Sequence, residues 1–190
     1  SDFFKAELSL TKEEKNALVE THPKRQMEWM AGRLLLHKMS GRKTRGECTK
    51  DEFGKPFLKD SEYDISLSHS GRFAAVIATP FPCGIDIQKI VPKLKRIENK
   101  FMTKADLSTL STEFYMEHLH VYWGAKEAIY KAYGKKKLEF KEHILLDSFE
   151  YDVTFGKCKG YVRKESVRMD FDIHYRKIEN YILVYAIEQK

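Results

Sequence analysis

Two stretches of this 190-residue chain nearly repeat one another. EWMAGRLLLHKMSG (28–41) and YWGAKEAIYKAYGK (122–135) each give Trp, Ala two residues on, a basic residue, apolar positions, Lys and a closing Gly. Each is followed by a lysine-rich turn and extended segments that end in FAAVIA or YILVYA. A chain built this way divides into two lobes of one α+β plan, residues 1–90 and 91–190, each with a long helix packed on an antiparallel sheet. Chance likeness between two amphipathic helices would leave the same trace, and the repeat alone does not decide between them. No Pro-, Gly- or Ser-rich linker separates the halves.

Local signals fill in the plan. Thr11 to Glu14 reads as a capping box opening a short helix that ends near His22-Pro23. From Arg25 to Met39 a helix is expected with Met27, Met30, Leu34, Leu35 and Leu36 on one face, stopped by Ser40-Gly41. A turn at Gly54-Lys55-Pro56 precedes strands over Ile65–Ser68, Phe73–Ala78 and Cys83–Ile87. Short helices follow around Lys93–Phe101 and after the Thr103 cap, then a long helix from about Thr112 to Tyr133, ended by Gly134. Further strands are expected near Ile144–Thr154, Gly160–Arg163, Arg168–His174 and Tyr181–Glu188, with Gly156-Lys157 as a hairpin turn.

Composition removes several classes. With 42% hydrophobic and 13% aromatic residues the chain has the means to form a core. Its longest apolar runs fall far short of the ~18 residues of a membrane span, so no membrane partner is expected. Neither a secretory nor a transit signal opens it. Cys48, Cys83 and Cys158 are widely spaced and without CxxC, which speaks against a disulfide framework or a zinc site and for reduced thiols in the cytoplasm. Thirty-four Lys and Arg against 28 Asp and Glu leave a net charge of +6. That surplus suits an anionic partner, or simply solubility.

Taken singly, the chemistry-bearing residues have ordinary readings. Asp86, between Ile85 and Ile87, is either a solvent-facing acid or a carboxylate offered to a hard cation. Glu127 and Lys131 share a helix face with Trp123 and could be a plain surface pair. His69, flanked by Ser68, Ser70 and Gly71-Arg72, is either a turn residue or part of a phosphate-binding cluster. Glu117-x-x-His120 lacks the second pair a di-iron bundle needs, and no HExxH, GxGxxG, Walker loop or GxSxG is present. The Lys135–Lys137 run has no stacking-aromatic ladder beside it, so nucleic acid is not expected as a partner.

In order, however, Gly54-Lys55-Pro56, then SLSHSGR (66–72), then GIDIQ (84–88), then WGAKEAIYK (123–131) resemble the 4′-phosphopantetheinyl transferases, in their larger two-lobed, synthetase-activating type. The resemblance runs from Arg25 through the C-terminal strands, and the W-x-x-K-E-A-x-x-K helix is its most specific element. It implies an α+β pseudodimer with a cofactor cleft between the lobes, built within one monomer by an internal pseudo-twofold. It also implies transfer of the phosphopantetheine arm of coenzyme A to a serine of an acidic apo acyl or peptidyl carrier protein, releasing adenosine 3′,5′-bisphosphate. By the same resemblance Asp86 and Glu127 hold Mg²⁺, Lys131 steadies the leaving phosphate, Ser68 and His69 contact cofactor phosphates, and Lys55 and Arg25 add charge around the nucleotide. Arg33 is a weaker candidate, whose stem its own helix could bury as packing.

Two departures stand out. Many relatives have Glu where this chain has Gln88, whose amide oxygen can ligate Mg²⁺ without a carboxylate's attraction. The N-terminus is also expected to be short of the first-lobe strand usual in the family, so that either residues precede Ser1 or this chain dispenses with them. Rival readings are a catalytically weak relative that binds coenzyme A or a carrier protein, and a basic nucleic-acid-binding domain.

Overall fold

Thr11 caps the first helix as its sequence requires: its side chain accepts from the Glu14 amide, and Glu14 reaches back to the Thr11 amide. In this computed structural model, which describes residue 4 and residues 7–135 and 137–190, that helix is α1 (Lys12–Glu20). Helix α2 (Pro23–Ser40) follows and ends at Gly41 in the left-handed conformation. Four short strands come next: β1 (Cys48–Lys50), β2 (Pro56–Leu58), β3 (Asp64–Ser70) and β4 (Phe73–Thr79), an antiparallel sheet in the order β1-β2-β3-β4. Leu36, Cys48 and Ile65 are buried together where α2 meets this sheet. Met27 and Leu35, expected on the buried face, are exposed. The packed stripe instead runs through Met30, Arg33 and Leu36, with Gly32 letting Leu67 of β3 come close.

After β5 (Cys83–Lys89) the chain makes a 3₁₀ segment (Pro92–Ile97) and the short helices α3 (Glu98–Phe101) and α4 (Lys104–Ser108), the latter capped by Thr103 as expected. Helix α5 (Tyr115–Tyr133) begins three residues later than the sequence suggests, because the Ser111 hydroxyl accepts from the Phe114 amide and holds a turn there. Strands β6 (Ile144–Leu146), β7 (Gly156–Lys164), β8 (Val167–Ile178) and β9 (Tyr181–Glu188) complete a second antiparallel sheet, ordered β5-β9-β8-β7-β6. The fold is thus α+β with two antiparallel sheets. β5, although it precedes residue 90, is hydrogen-bonded in the second of them.

Two expectations in this half need correction. The strand near Ile144–Thr154 ends at Leu146, and further along the Asp152 carboxylate accepts from the Thr154 and Phe155 amides and turns the chain into the next strand. Gly156-Lys157 is no hairpin turn but the start of β7. A Cβ at Gly156 would stand 1.9 Å from Tyr175 Cζ, so glycine marks a close approach. The tight turns fall beside Glu165 and Glu179, both at positive φ.

The largest core lies between α5 and the second sheet, around Ala125, Ile129, Ile173 and Val184. Gly84 of β5 sets the spacing on its side: a Cβ there would lie 1.8 Å from the Ala128 carbonyl oxygen of α5. Neither backbone can yield, so Gly84→Ala should lower stability by about 3 kcal/mol, read as a shift of the urea midpoint at unchanged slope. A loss below about 0.5 kcal/mol would mean that β5 and α5 are not locked at this distance. No helix among the described residues is long and apolar enough to cross a membrane.

Candidate active site

One face of β5 presents Gly84, Asp86 and Gln88 in alternation, and α5 lies across it. Ile85 and Ile87 point the other way, into a cluster with Ala75 and Tyr181. Asp86 is therefore turned inward and only 8% exposed. Its Oδ1 accepts from Lys131 Nζ at 2.8 Å and from Ser68 Oγ at 3.0 Å. Lys131 Nζ also donates to the Ile85 carbonyl at 2.8 Å. An ammonium has three protons, so one remains for another acceptor.

Glu127 stands one turn before Lys131 on α5. Its carboxyl titrates above the ordinary range because it is partly buried and because Asp86 is a like charge nearby, while Lys131 pulls the other way. Among the described residues no hydrogen bond or close ion pair reaches it. Gln88 donates from Nε2 to the His120 carbonyl at 3.2 Å, which leaves its amide oxygen as the free end. No group of three or more His, Cys, Asp or Glu side chains that could hold a metal occurs among the described residues. Asp86 and Glu127 are a pair of neighbouring carboxyls, with the Gln88 amide on the same strand face as Asp86.

Beside these groups opens a cleft of about 1100 Å³, at the large end for small-molecule sites. Arg25 and Glu28 of α2, Lys55 of the β1–β2 turn, Ser68 and His69 of β3, and Lys131 of α5 line it. The candidates thus fall into two adjoining groups. Arg25, Lys55 and His69 face the cleft; Asp86, Glu127 and Gln88 do not line it; Ser68 and Lys131 belong to both.

The cleft residues differ in how freely they can meet a ligand. Arg25 is exposed. His69 Nδ1 lies 3.1 Å from Glu28 Oε2. Lys55 is held by Asp64 Oδ2 at 2.7 Å and by the Ala132 carbonyl at 3.1 Å, so it ties the first sheet to the end of α5. Of the Lys135–Lys137 run, Lys135 lines the cleft and Lys136 lies outside the described residues. Arg33 is buried, stacked over Trp29, and donates to the Cys48 carbonyl, which makes it packing as much as charge.

Sequence reasoning passed over several residues that build the site. Asp64 holds Lys55 and the Cys83 amide together. His120 accepts from the Val91 amide at Nε2 and faces the Met116 carbonyl with Nδ1, tying the end of β5 to α5. Lys126, fully buried, donates to the Phe140 and Ile144 carbonyls, and burial pulls its pKa down to about 8. Burial pushes the Cys83 and Cys158 thiols up to about 12, leaving neither suited to nucleophilic work.

Residues 82–183, more than half of the chain and spanning β5, α5 and most of the second sheet, match the 4′-phosphopantetheinyl transferase superfamily, and the chain belongs to it. Among curated proteins it is similar to the 4′-phosphopantetheinyl transferase Sfp of Bacillus subtilis strain 168, at 32% identity over 88 residues, 44% of this chain and 39% of that protein. A second Bacillus subtilis 4′-phosphopantetheinyl transferase is 34% identical over 91 residues, with the same coverage of 44% and 39%. The 4′-phosphopantetheinyl transferase gsp of Aneurinibacillus migulanus is 32% identical over 95 residues, 45% of this chain and 37% of that protein. The match thus spans well under half the length of these relatives.

Proposed function

We propose that this chain transfers the 4′-phosphopantetheine moiety of coenzyme A to a serine of an apo acyl or peptidyl carrier protein. The observation that supports this most is the Asp86–Lys131–Glu127 group at the edge of a cation-lined cleft. In the transfer the serine Oγ forms a bond to the phosphorus nearer the pantetheine. The bond from that phosphorus to the bridging oxygen breaks, and its electron pair leaves on adenosine 3′,5′-bisphosphate. The serine proton passes to Glu127 or to water. Lys131 aims its remaining N–H at the oxygen that gains charge, where a preorganised donor counts for most. Arg25, Lys55 and His69 bind the nucleotide phosphates and hold the diphosphate in line.

The donor set suits Mg²⁺. Glu127 is a half-buried carboxyl with no hydrogen-bond partner among the described residues, Asp86 Oδ2 is free of the bonds made by Oδ1, and Mg²⁺ commonly takes one or two carboxylates beside substrate phosphates. Asp86 and Glu127 would hold the ion with Gln88 as a further oxygen donor, and when bound it would neutralise diphosphate charge. The expected lobes 1–90 and 91–190, with β5 passing into the second sheet, act about one cleft, so a single chain suffices. The net charge of +6 favours an acidic carrier, and three unbridged cysteines accord with the cytoplasm.

Labelled coenzyme A, Mg²⁺ and apo carrier proteins of fatty-acid, polyketide and peptide synthesis test the reading together. The expected result is a carrier heavier by one phosphopantetheine and an equal amount of adenosine 3′,5′-bisphosphate. Coenzyme A binding without loading of any carrier would replace the enzyme with a binding relative. Affinity for RNA or DNA but not for coenzyme A would overturn the reading altogether.

A further inference from the structure

β5 is the edge strand of the second sheet, and its outer amides have no strand to pair with. They are met instead by side chains of β3, in a repeating pattern. The Cys83 amide donates to Asp64 Oδ2 at 2.7 Å, and the Ile85, Ile87 and Lys89 amides donate to the hydroxyls of Ser66, Ser68 and Ser70, each at 3.2 Å. Four alternate residues of β3 thus serve four alternate residues of β5, always nineteen positions apart. The arrangement satisfies an edge that would otherwise be buried unpaired, and it joins the two sheets without a backbone ladder.

Ser68 differs from its two neighbours in this series. Its oxygen accepts from Ile87, and its one hydroxyl proton goes to Asp86 Oδ1. A serine hydroxyl has a single donor, so Ser68 in this state can accept from a ligand but cannot donate to a phosphate oxygen. Ser66 and Ser70 have no second side-chain partner among the described residues. Asp86 Oδ1 is thereby held between Ser68 and Lys131, and Oδ2 is left open.

We propose that Ser68 is a positioning residue for Asp86, set by the seam between β3 and β5, rather than a contact to the phosphates of the cofactor. The inference rests on the transferase reading for its kinetic consequences, while the hydrogen bond itself does not. With the hydroxyl gone, the Asp86 carboxylate keeps only Lys131 on Oδ1 and swings more freely. Supporting groups behind a metal-binding carboxylate commonly matter by about 10–100-fold in metal affinity or activity.

The test compares Ser68→Ala with Ser68→Thr, which keeps the hydroxyl, and with Ser70→Ala, which removes an equivalent seam bond away from Asp86. In Ser68→Ala the Mg²⁺ concentration for half-maximal loading should rise by about tenfold or more, while the Kd for coenzyme A, measured by calorimetry without metal, stays within about twofold. Ser68→Thr should return the Mg²⁺ requirement towards wild type, and Ser70→Ala should leave both values unchanged. A tenfold weaker Kd for coenzyme A with an unchanged Mg²⁺ requirement would place Ser68 on the cofactor and overturn the proposal. So would equal effects of Ser68→Ala and Ser70→Ala, which would reduce the seam to a structural bond. If the wild type loads no carrier, the transferase reading fails, and the Asp86 carboxyl ¹³C resonance of the metal-free protein then decides. It should move in Ser68→Ala and be restored in Ser68→Thr; an unmoved resonance would overturn the positioning role.

Discussion

Glu127→Gln should lower carrier loading by about 10²–10³-fold and at the same time raise the melting temperature of the metal-free protein. The two effects have one origin. The carboxyl is half-buried near Asp86 with no hydrogen-bond partner among the described residues, so its charged form is disfavoured by partial burial first and by the neighbouring charge second. A carboxyl whose folded value lies above its unfolded value of about 4.5 contributes stability that is full below the unfolded value. That contribution is lost as pH rises through the folded value, so near neutrality the ionised Glu127 weighs against the fold. Gln keeps the shape and removes the charge, which leaves the Asp86–Lys131 pair intact. Melting curves in chelator between pH 4 and 8 should therefore converge for variant and wild type at the acid end and separate at neutral pH. A variant that loads carrier at the wild-type rate, or that melts lower than wild type at pH 7, would remove Glu127 from the reacting centre.

Why so much of this centre could be read from the chain, and where reading failed, follows from what local sequence encodes. Asp86 between two isoleucines and Glu127 four residues before Lys131 are statements about one strand face and one helix face. Those periodicities survive in the fold because β5 and α5 form as expected. Partners drawn from distant segments leave no such trace. Nothing in the sequence near Lys55 announces Asp64 or the Ala132 carbonyl, and nothing near His69 announces Glu28. Ser68 shows a subtler limit: the SHS segment alone leaves a turn or a phosphate-binding cluster open, and only the fold shows that alternation sends His69 towards α2 and the serines towards β5. Gly156 failed for the opposite reason. Glycine suggests a turn, but here its missing side chain makes room for Tyr175, while the tight β7–β8 and β8–β9 turns fall at two glutamates, Glu165 and Glu179.

The largest loss of stability from a single substitution should come from Glu14→Ala, about 3–5 kcal/mol at pH 7. Glu14 opens as half of a capping box, but its carboxylate also receives both terminal nitrogens of Arg45 and the Cys48 amide, and lies 3.8 Å from Arg33. The Glu14 side chain is 1% exposed and those of Arg33 and Arg45 are 8% exposed, so alanine would strand two buried guanidinium groups without their anion. Burial drives the Glu14 carboxyl upward, yet the bonds from Arg45, Thr11 and Cys48 outweigh it and hold the group below its ordinary value. Its contribution is therefore present above the unfolded value of about 4.5 and lost as pH falls through the folded one. Urea unfolding should show the gap between wild type and variant wide at pH 7 and narrow towards pH 3; a gap under about 1 kcal/mol at pH 7 would show that the cluster acts as a surface ion pair does. The consequence reaches the cleft, because Arg33 belongs to the same α2 that carries Arg25 and Glu28 into it, whereas Asp86 and Glu127 are held by β5 and α5. Where the variant remains folded, coenzyme A binding should weaken more than Mg²⁺ dependence changes, the reverse of what Ser68→Ala is expected to do.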